Sequence, residues 1–185
     1  MAGWKDKRRV MQRYDLTAKM YEERYAEEQK TKYKTALKNV DIAGSMVLDV
    51  GCGSGLFFRE VASKSEIAVG VDFSRKLLLK AKERADGFGN CVVLQADADH
   101  LPFEDASFDV IFAFTVLQNM PKPAVTLKEL MRVAEIGGRV VITGLKKAFP
   151  LNKFMDTLES FGTNIVSFVD SADLNCYIAI LESVM

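Results

Sequence analysis

The sequence predicts an α/β domain built on a doubly wound sheet of seven strands, the last of which runs antiparallel. From Met46 onward, short apolar runs alternate with helical patterns, as expected for strands buried on both faces of a parallel sheet. The first run leads into a glycine-rich turn, Gly51 to Gly55, typical of a sharp strand-to-helix connection. Near the end, only Asp170 to Asp173 separates two apolar runs. That distance is too short for a crossover helix and predicts an antiparallel hairpin.

Each predicted element follows from its local pattern. The predicted strands are Val47–Val50, Ile67–Val71, Cys91–Leu94, Val110–Phe114, Arg139–Thr143, Asn164–Val169 and Leu174–Leu181. The predicted helices between them are Leu56–Ala62, Arg75–Ala85, Pro123–Glu135 and Lys153–Phe161. Ser74 is the expected N-cap of the second helix and Gly87 its stop. Five strands joined by helices indicate right-handed crossovers.

The first forty residues are polar and charged and have helical spacing. They predict one or two helices packed on the main domain, the last at roughly Lys32 to Val40. We therefore expect residues 1–40 to form a helical lid and residues 41–185 to form one globular unit. The tyrosines of this lid, among them Tyr14, Tyr21 and Tyr25, either only pack against the domain or close over a bound ligand. The early lysines and arginines predict a solvated face, with an RNA-contacting patch as the alternative.

Composition limits the function. The chain has 185 residues, of which 49% are hydrophobic, and a formal net charge of zero. Nucleic acid is therefore a possible partner that the charge does not indicate. The single histidine, His100, argues against a histidine dyad or a zinc site. The three cysteines have no metal-binding spacing and predict reduced thiols of a cytoplasmic protein. No apolar run is long enough to span a bilayer, so no membrane partner is expected.

The glycine turn has the chemistry of a ligand site. Glycines at 51, 53 and 55 let backbone amides lie close to a ligand, and the following helix start offers free N–H groups. A dinucleotide fingerprint needs glycine at the sixth position, where Leu56 stands, so a nicotinamide oxidoreductase is disfavoured. Asp49, two residues before Gly51, would face an ammonium group well.

Two further acids follow the next strands. Asp72 ends the second strand, where doubly wound folds bind ribose hydroxyls; the alternative is an acid that only satisfies a helix N-terminus. Asp97 follows the third strand and could accept a hydrogen bond from an adenine amine, or could merely cap a loop. The next segment, Leu101 to Phe103, would offer apolar surface to the adenine ring.

These motifs together resemble a known family. The segment Val47–Gly55 resembles motif I of class I S-adenosylmethionine-dependent methyltransferases, and Gly70–Asp72 resembles their motif II. Asp97-Ala98, followed by Leu101–Phe103 and Ser107–Asp109, is similar to the ubiquinone-biosynthesis-type subgroup. The resemblance covers the chain from about Met46 onward. It implies a Rossmann-like fold, S-adenosyl-L-methionine as cofactor and S-adenosyl-L-homocysteine as product.

The resemblance also implies roles for individual residues. The glycine loop would wrap the methionine part of the cofactor, Asp49 would hold its amino group through water, Asp72 would bind the ribose, and Asp97 with the Ala98 amide would bind the adenine. The full cofactor-binding set is Asp49, Gly51, Cys52, Gly53, Gly55, Asp72, Phe73, Asp97, Ala98, Phe114 and Tyr25. Methyl transfer from a sulfonium is an in-line displacement that needs alignment and exclusion of water more than a strong base.

The methyl acceptor is less well indicated. The segment after the fourth strand, Phe114 to Pro121, lacks the Asp/Asn-Pro-Pro-aromatic signature of many amino-group methyltransferases. Gln118 and Asn119, with Tyr21, are the candidates for positioning the acceptor; the alternative is a polar start of a helix. Recognition would fall to the N-terminal helices, this segment and the loop from Lys146 to Asn152. A small molecule, RNA and a protein stay open as acceptors. A cofactor-binding partner subunit without catalysis is the competing hypothesis.

Overall fold

The computed structural model describes residues 2–160 and 162–184; for residue 2 and residues 17–26 it describes the backbone only. The strands are β1 (Met46–Val50), β2 (Ile67–Asp72), β3 (Cys91–Gln95), β4 (Phe108–Ala113), β5 (Ala134–Leu145), β6 (Asn164–Val169) and β7 (Cys176–Glu182). The helices are α1 (Ala2–Leu37), α2 (Phe58–Val61), α3 (Arg75–Ala85), α4 (Pro123–Val133) and α5 (Leu151–Glu159). A 3₁₀ turn at Leu117–Asn119 follows β4.

The strands form one seven-stranded sheet in the order β3-β2-β1-β4-β5-β7-β6. Strands β1 to β5 pair in parallel, and β7 lies between β5 and β6 and runs antiparallel to both. The predicted fold class, including the hairpin of the last two strands, is confirmed. The chain order reverses between β1 and β4. Open α/β sheets bind ligands at the carboxyl ends of the strands beside such a switch point.

Both faces of the sheet are buried, which explains why the strands are apolar throughout. One hydrophobic cluster packs α2, α3 and the end of α1 on one face, with Phe57 and Phe58 fully buried. The other packs α4 and α5 on the opposite face, around Leu127 and Phe154. The sheet is thus a rigid platform, and the loops at its carboxyl edge are free to carry a site.

The N-terminal region is a single helix of 36 residues, which is one of the two predicted arrangements; it runs through Lys32 and ends at Leu37 rather than at Val40. The reason is local, since no glycine or proline occurs between Trp4 and Ala43 to end the helix. Its last turns belong to the core: the buried ring of Tyr33 lies 4.7 Å from Phe57 and 4.8 Å from Phe114. A movable lid can therefore comprise only the earlier part of α1.

Element boundaries differ from prediction mainly around three helices. The first predicted helix shortens to the four residues of α2, because the preceding residues form turns. Helix α4 ends at Val133, and β5 begins at once with Ala134 and then passes through a bulge. Gly137 lies in the bulge with φ +81°. Helix α5 begins two residues earlier than predicted, and the predicted end at Phe161 lies outside the described residues. Among the described helices, none combines the length and apolar character that a bilayer crossing requires.

Candidate active site

A cleft opens along the carboxyl edge of the sheet, at the switch point between β1 and β4. Its larger part, the main cavity, takes in about 780 Å³ with its open mouth. Helix α1 covers it from above. The lining residues are Lys7, Val10, Met11, Tyr14, Val50, Gly51, Gly53, Val71, Asp72, Phe73, Ser74, Leu77, Ala96, Asp97, Ala98, Phe114, Thr115, Val116, Asn119 and Met120. The carboxyl ends of β1, β2, β3 and β4 therefore meet in one place.

A smaller cavity, the side cavity, adjoins it at the glycine loop and takes in about 320 Å³ with its open mouth. It shares Gly51, Gly53 and Phe114 with the main cavity. The other residues that line it are Gln29, Tyr33, Asp49, Cys52, Ser54 and Leu56. The two cavities form one branched cleft with the glycine loop at the fork.

The glycine loop adopts a backbone that requires glycine. Gly51 and Gly53 have φ values of +75° and +57°, which side chains rarely permit. A Cβ on Gly51 would also lie 2.6 Å from Cγ2 of Val116. Gly55, with φ +76°, lines neither cavity; it lets the loop close against Phe58 of α2. In this structure Gly55 therefore shapes the loop, and its contact with the cofactor stays a prediction.

Asp72 holds the loop from the end of β2. One carboxylate oxygen accepts a hydrogen bond from the amide of Gly53 at 2.9 Å and the other from the amide of Ser74 at 2.7 Å. Burial raises the pKa of Asp72, although these amide bonds oppose the shift. Ser74 in turn caps α3, as predicted, by accepting from the Leu77 amide at 3.3 Å. Asp72 therefore ties the glycine loop to α3 and still borders the main cavity.

Asp49 lies in the side cavity and is 4% exposed. Burial, and then the negative charge of Asp72, raises the pKa of this carboxyl to about 8. Within the described part of the chain, no lysine or arginine pairs with it. A buried carboxylate is unfavourable without a compensating cation. This geometry suits a positively charged group of a ligand.

Asp97 is held by the helix above it. The ammonium of Lys7 lies 2.7 Å from both oxygens of Asp97 and 2.5 Å from Asp99. Burial disfavours the charge, but the hydrogen bonds to Asp97 and Asp99 raise the pKa of Lys7 above its usual value. Lys5 and Arg8 are exposed as predicted for a solvated face, so Lys7 is an exception in that cluster.

Two more contacts hold α1 over the cleft. The carboxylate of Asp15 accepts hydrogen bonds from the hydroxyl of Ser74 and, at 3.3 Å, from the Lys76 amide. The side chain of Asn119 accepts from Arg13 at 3.1 Å and donates to the Tyr14 hydroxyl at 3.2 Å. Together with Lys7, these contacts close the main cavity from the N-terminal side.

Asn119 is the predicted acceptor-positioning residue that does line the main cavity. Its amide also donates to the Thr115 carbonyl at 2.8 Å, so its orientation is fixed. Gln118 lines neither cavity, and both polar atoms of its side-chain amide are buried without a partner. It points elsewhere because the 3₁₀ turn sends neighbouring side chains in different directions. Tyr21 and Tyr25 have side chains outside the described residues.

The remaining predicted cofactor residues divide between the two cavities. Phe73 and Ala98 border the main cavity, and the ring of Phe73 packs edge-on against Trp4 at 5.7 Å. Phe114 borders both cavities and Cys52 only the side cavity, where burial raises the pKa of its thiol. Cys52 is thus a neutral, packed side chain rather than a reactive one.

Two segments expected at the site belong to the core or the far surface. Leu101 is buried, and Phe103 packs on Phe108 at 4.9 Å, so neither reaches the main cavity. The loop from Lys146 to Asn152 also lines neither cavity. Lys146 pairs with Asp170 at 2.6 Å, and Phe149 is buried against α5. Apolar surface for a ring comes instead from the segment after β3 and from α3 and α1.

Sequence reasoning missed several residues of the cleft. Thr115 lies just past β4 with φ +63°, a strained conformation often found at functional sites. Its hydroxyl accepts from the buried ammonium of Lys32 at 3.1 Å. Gln29 lines the side cavity. No local pattern indicated them, because each lies in a polar or mixed segment and meets its partners only through the fold.

The fold and the cleft agree with comparisons to known proteins. The family model described as "Methyltransferase domain" matches residues 48–142, slightly more than half of the chain. The chain belongs to this methyltransferase family. It is a class I S-adenosylmethionine-dependent methyltransferase by fold and motif, and S-adenosylmethionine is its cofactor. The resemblance inferred from the motifs is confirmed, and nothing supports a nicotinamide oxidoreductase.

Two curated relatives and one solved structure resemble this methyltransferase. It is 35% identical over 142 residues to a demethylmenaquinone methyltransferase of Lactococcus lactis, covering 74% of this chain and 56% of that protein. It is 38% identical over 120 residues to a Staphylococcus aureus protein of the same name, covering 62% and 49%. The chain thus spans about half the length of the curated relatives it matches. A methyltransferase structure from Aquifex aeolicus has the same fold, with a TM-score of 0.73, 22% identity and coverage of 82% and 89%.

The residues of the cleft fit this cofactor. The glycine loop gives close backbone approach, Asp72 borders the main cavity with a carboxylate suited to ribose hydroxyls, and Asp49 offers a negative charge to an ammonium. Phe73, Ala96 and Ala98 offer flat apolar surface for an adenine. The methionine end would lie toward the side cavity and the adenine end toward β3 and Lys7.

The Lys7 ion pairs give a direct test of closure. Lys7→Met should lower the free energy of unfolding by roughly 1–3 kcal/mol, between the ranges for exposed and buried pairs, since Asp97 and Asp99 would be left close together and unneutralised. Urea unfolding at low salt measures this change. Lys5→Met, at an exposed position of the same helix, is the control. Equal stability of the two variants would show that the Lys7 pairs do not hold the helix down.

Proposed function

We propose that this methyltransferase transfers the methyl group of S-adenosylmethionine to a small, largely apolar molecule bound in the main cavity. The observation that carries the proposal is the wall of the main cavity between α1 and the 3₁₀ turn. There Val10, Met11, Val116 and Met120 border the space, and α1 covers it. A covered apolar space suits a small hydrophobic acceptor better than a polymer chain.

The names of the curated relatives support the same class of acceptor. Proteins at 35–38% identity are named demethylmenaquinone methyltransferases, so their acceptor is a small quinone-type molecule. This chain is shorter than those relatives, and its acceptor is therefore proposed by class only. An RNA or protein acceptor would need an open approach that α1 blocks in this structure.

The residues of the cleft would act by binding, alignment and exclusion of water. Bound there, S-adenosylmethionine supplies a methyl group already activated by its positive sulfur. Asn119, fixed by the Thr115 carbonyl, offers a side-chain amide at the cavity wall. Burial raises the pKa of Tyr14, so its hydroxyl stays protonated at neutral pH and does not act as a base. The described lining contains no histidine. Both oxygens of Asp72 already accept amide bonds and those of Asp97 face Lys7, so this lining favours an acceptor that is a ready nucleophile or ionises easily by itself.

The experiment follows labelled methyl groups into separate pools. The protein is incubated with radiolabelled S-adenosylmethionine and an organic extract containing reduced naphthoquinones, total RNA or denatured protein. We expect label in the organic extract, and much less label at the same subsaturating cofactor concentration when Asp72→Ala replaces the wild type. Label only in RNA or protein would overturn the proposed acceptor class. Cofactor binding without transfer to any pool would favour the partner subunit without catalysis.

We also propose that the first part of α1 is a lid. The helix lies over the main cavity and is held there by the contacts of Lys7, Asp15 and Asn119, so opening these contacts would widen the way in for the cofactor. Amides of residues 3–16 should exchange hydrogen several-fold more slowly when S-adenosylhomocysteine is bound, because bound ligand keeps the helix closed. Mass spectrometry of the exchanged peptides measures this, with α4 as internal control. Equal exchange with and without ligand would show a static helix.

We further infer a cytoplasmic location. Cys52, Cys91 and Cys176 are free and buried in the structure. Free thiols are usual for proteins in a reducing compartment.

A further inference from the structure

The side cavity contains polar atoms that the protein itself leaves without partners. Gln29 is 7% exposed, and its Oε1 is buried and accepts no hydrogen bond. Ser54 is 2% exposed, and its hydroxyl is also without a partner. Asp49 lies in the same cavity with a carboxylate that no described cation neutralises. Leaving such groups unsatisfied is unfavourable, and native proteins rarely do so away from functional sites.

The three groups share a chemical requirement. Oε1 of Gln29 and the carboxyl of Asp49 once it is ionised can only accept hydrogen bonds, whereas the hydroxyl of Ser54 can accept or donate. A ligand group with several N–H donors and a positive charge would satisfy both acceptors at once. An amino-acid end adds a carboxylate that could accept from Ser54. The surrounding wall, with Tyr33 and Phe114, is aromatic and strengthens such contacts by excluding water.

We propose that Gln29 binds the amino-acid end of the cofactor in the side cavity, its Oε1 accepting a hydrogen bond from the cofactor's ammonium beside Asp49. This inference rests on the proposed use of S-adenosylmethionine. It assigns the later part of α1 a direct binding role, distinct from the lid formed by its first turns. Gln29 lies one turn before Tyr33, whose buried ring fixes this part of the helix in the core. The glutamine is therefore already in position before ligand arrives.

Two ligands separate this role from a structural one. S-adenosylhomocysteine carries the amino-acid end, and 5′-methylthioadenosine has the same nucleoside without it. Gln29→Leu should weaken S-adenosylhomocysteine binding by roughly 10- to 100-fold, as for loss of a hydrogen bond to a charged group. Binding of 5′-methylthioadenosine should stay within about twofold, because that ligand does not reach the side cavity. Titration calorimetry measures both affinities.

Gln12→Leu is the matched control, because it makes the same change at an exposed position of the same helix. If Gln29→Leu does not fold, Gln29→Met keeps the length of the side chain and replaces it. Equal weakening of both ligands would show that Gln29 only shapes the cleft, and unchanged binding of both would show that water satisfies it; either result overturns the inference. If the wild type binds neither ligand, the cofactor assignment falls as well. If the wild type binds both and only the Gln29 effect is missing, the cofactor assignment stands.

Discussion

Asp49→Asn should make the ligand-free protein more stable at pH 8 by roughly several kcal/mol while weakening its hold on the cofactor. In the folded state the pKa of Asp49 is raised to about 8, whereas in the unfolded chain it is about 4. Between about pH 4 and pH 8, the folded state therefore keeps a proton that the unfolded state has lost. Below about pH 4 the carboxyl is protonated in both states, and its contribution to the free energy of unfolding is complete. The wild type loses this contribution as the pH rises through 8. Asparagine never carries the charge and avoids the loss.

The measurement is thermal or urea unfolding at several pH values between 4 and 9. The advantage of Asp49→Asn should grow with pH across this window and level off above about pH 8. Asp86→Asn, the same change at an exposed position, should show no such trend. S-adenosylhomocysteine should raise the melting temperature of the variant much less than that of the wild type, because the ammonium has lost its anion. A variant no more stable than wild type at pH 8 would show that Asp49 is already neutralised in the folded protein.

Asp72→Ala should weaken cofactor binding by roughly 1–3 kcal/mol and should leave the fold intact. The carboxylate accepts from the amides of Gly53 and Ser74, and the alanine variant loses both bonds together with the contact that we propose to the ribose. The glycine loop would then be free to leave its binding conformation. The fold should survive because Asp72 lies at the end of β2, outside the two hydrophobic clusters.

Calorimetry with S-adenosylhomocysteine measures the effect, and Asp72→Asn is the informative companion. Its amide oxygen can still accept from one backbone N–H, but its NH₂ group meets the other, so its affinity should fall between wild type and alanine. Asp97→Ala should have a smaller effect on affinity, since Lys7 already engages both oxygens of Asp97 in the closed form. An affinity of Asp72→Ala within error of wild type would mean that Asp72 only caps α3.

Much of the fold could be predicted from the sequence, for reasons that are local. Helix α3 was predicted with its boundaries and its Ser74 cap, since capping residues and periodicity act over a few neighbours. The hairpin of β6 and β7 followed from a connection too short for a helix. A single N-terminal helix was one of the two predicted arrangements, and the absence of glycine and proline between Trp4 and Ala43 lets α1 run through Lys32 without a break.

By itself, the sequence determined the doubly wound sheet, the glycine loop and the acids at three strand ends. A glycine at positive φ or an acid after a buried strand depends mainly on its own segment. Only the tertiary structure decided what lies above these groups. Lys7 meets Asp97 across 90 residues, and Lys32 meets Thr115 across 83 residues. Gln29 joins Asp49 in one cavity only because α1 packs along the sheet edge. Such pairings depend on how a whole helix packs on the sheet. That packing free energy comes from residues far apart in the chain, so no short stretch of sequence predicts it.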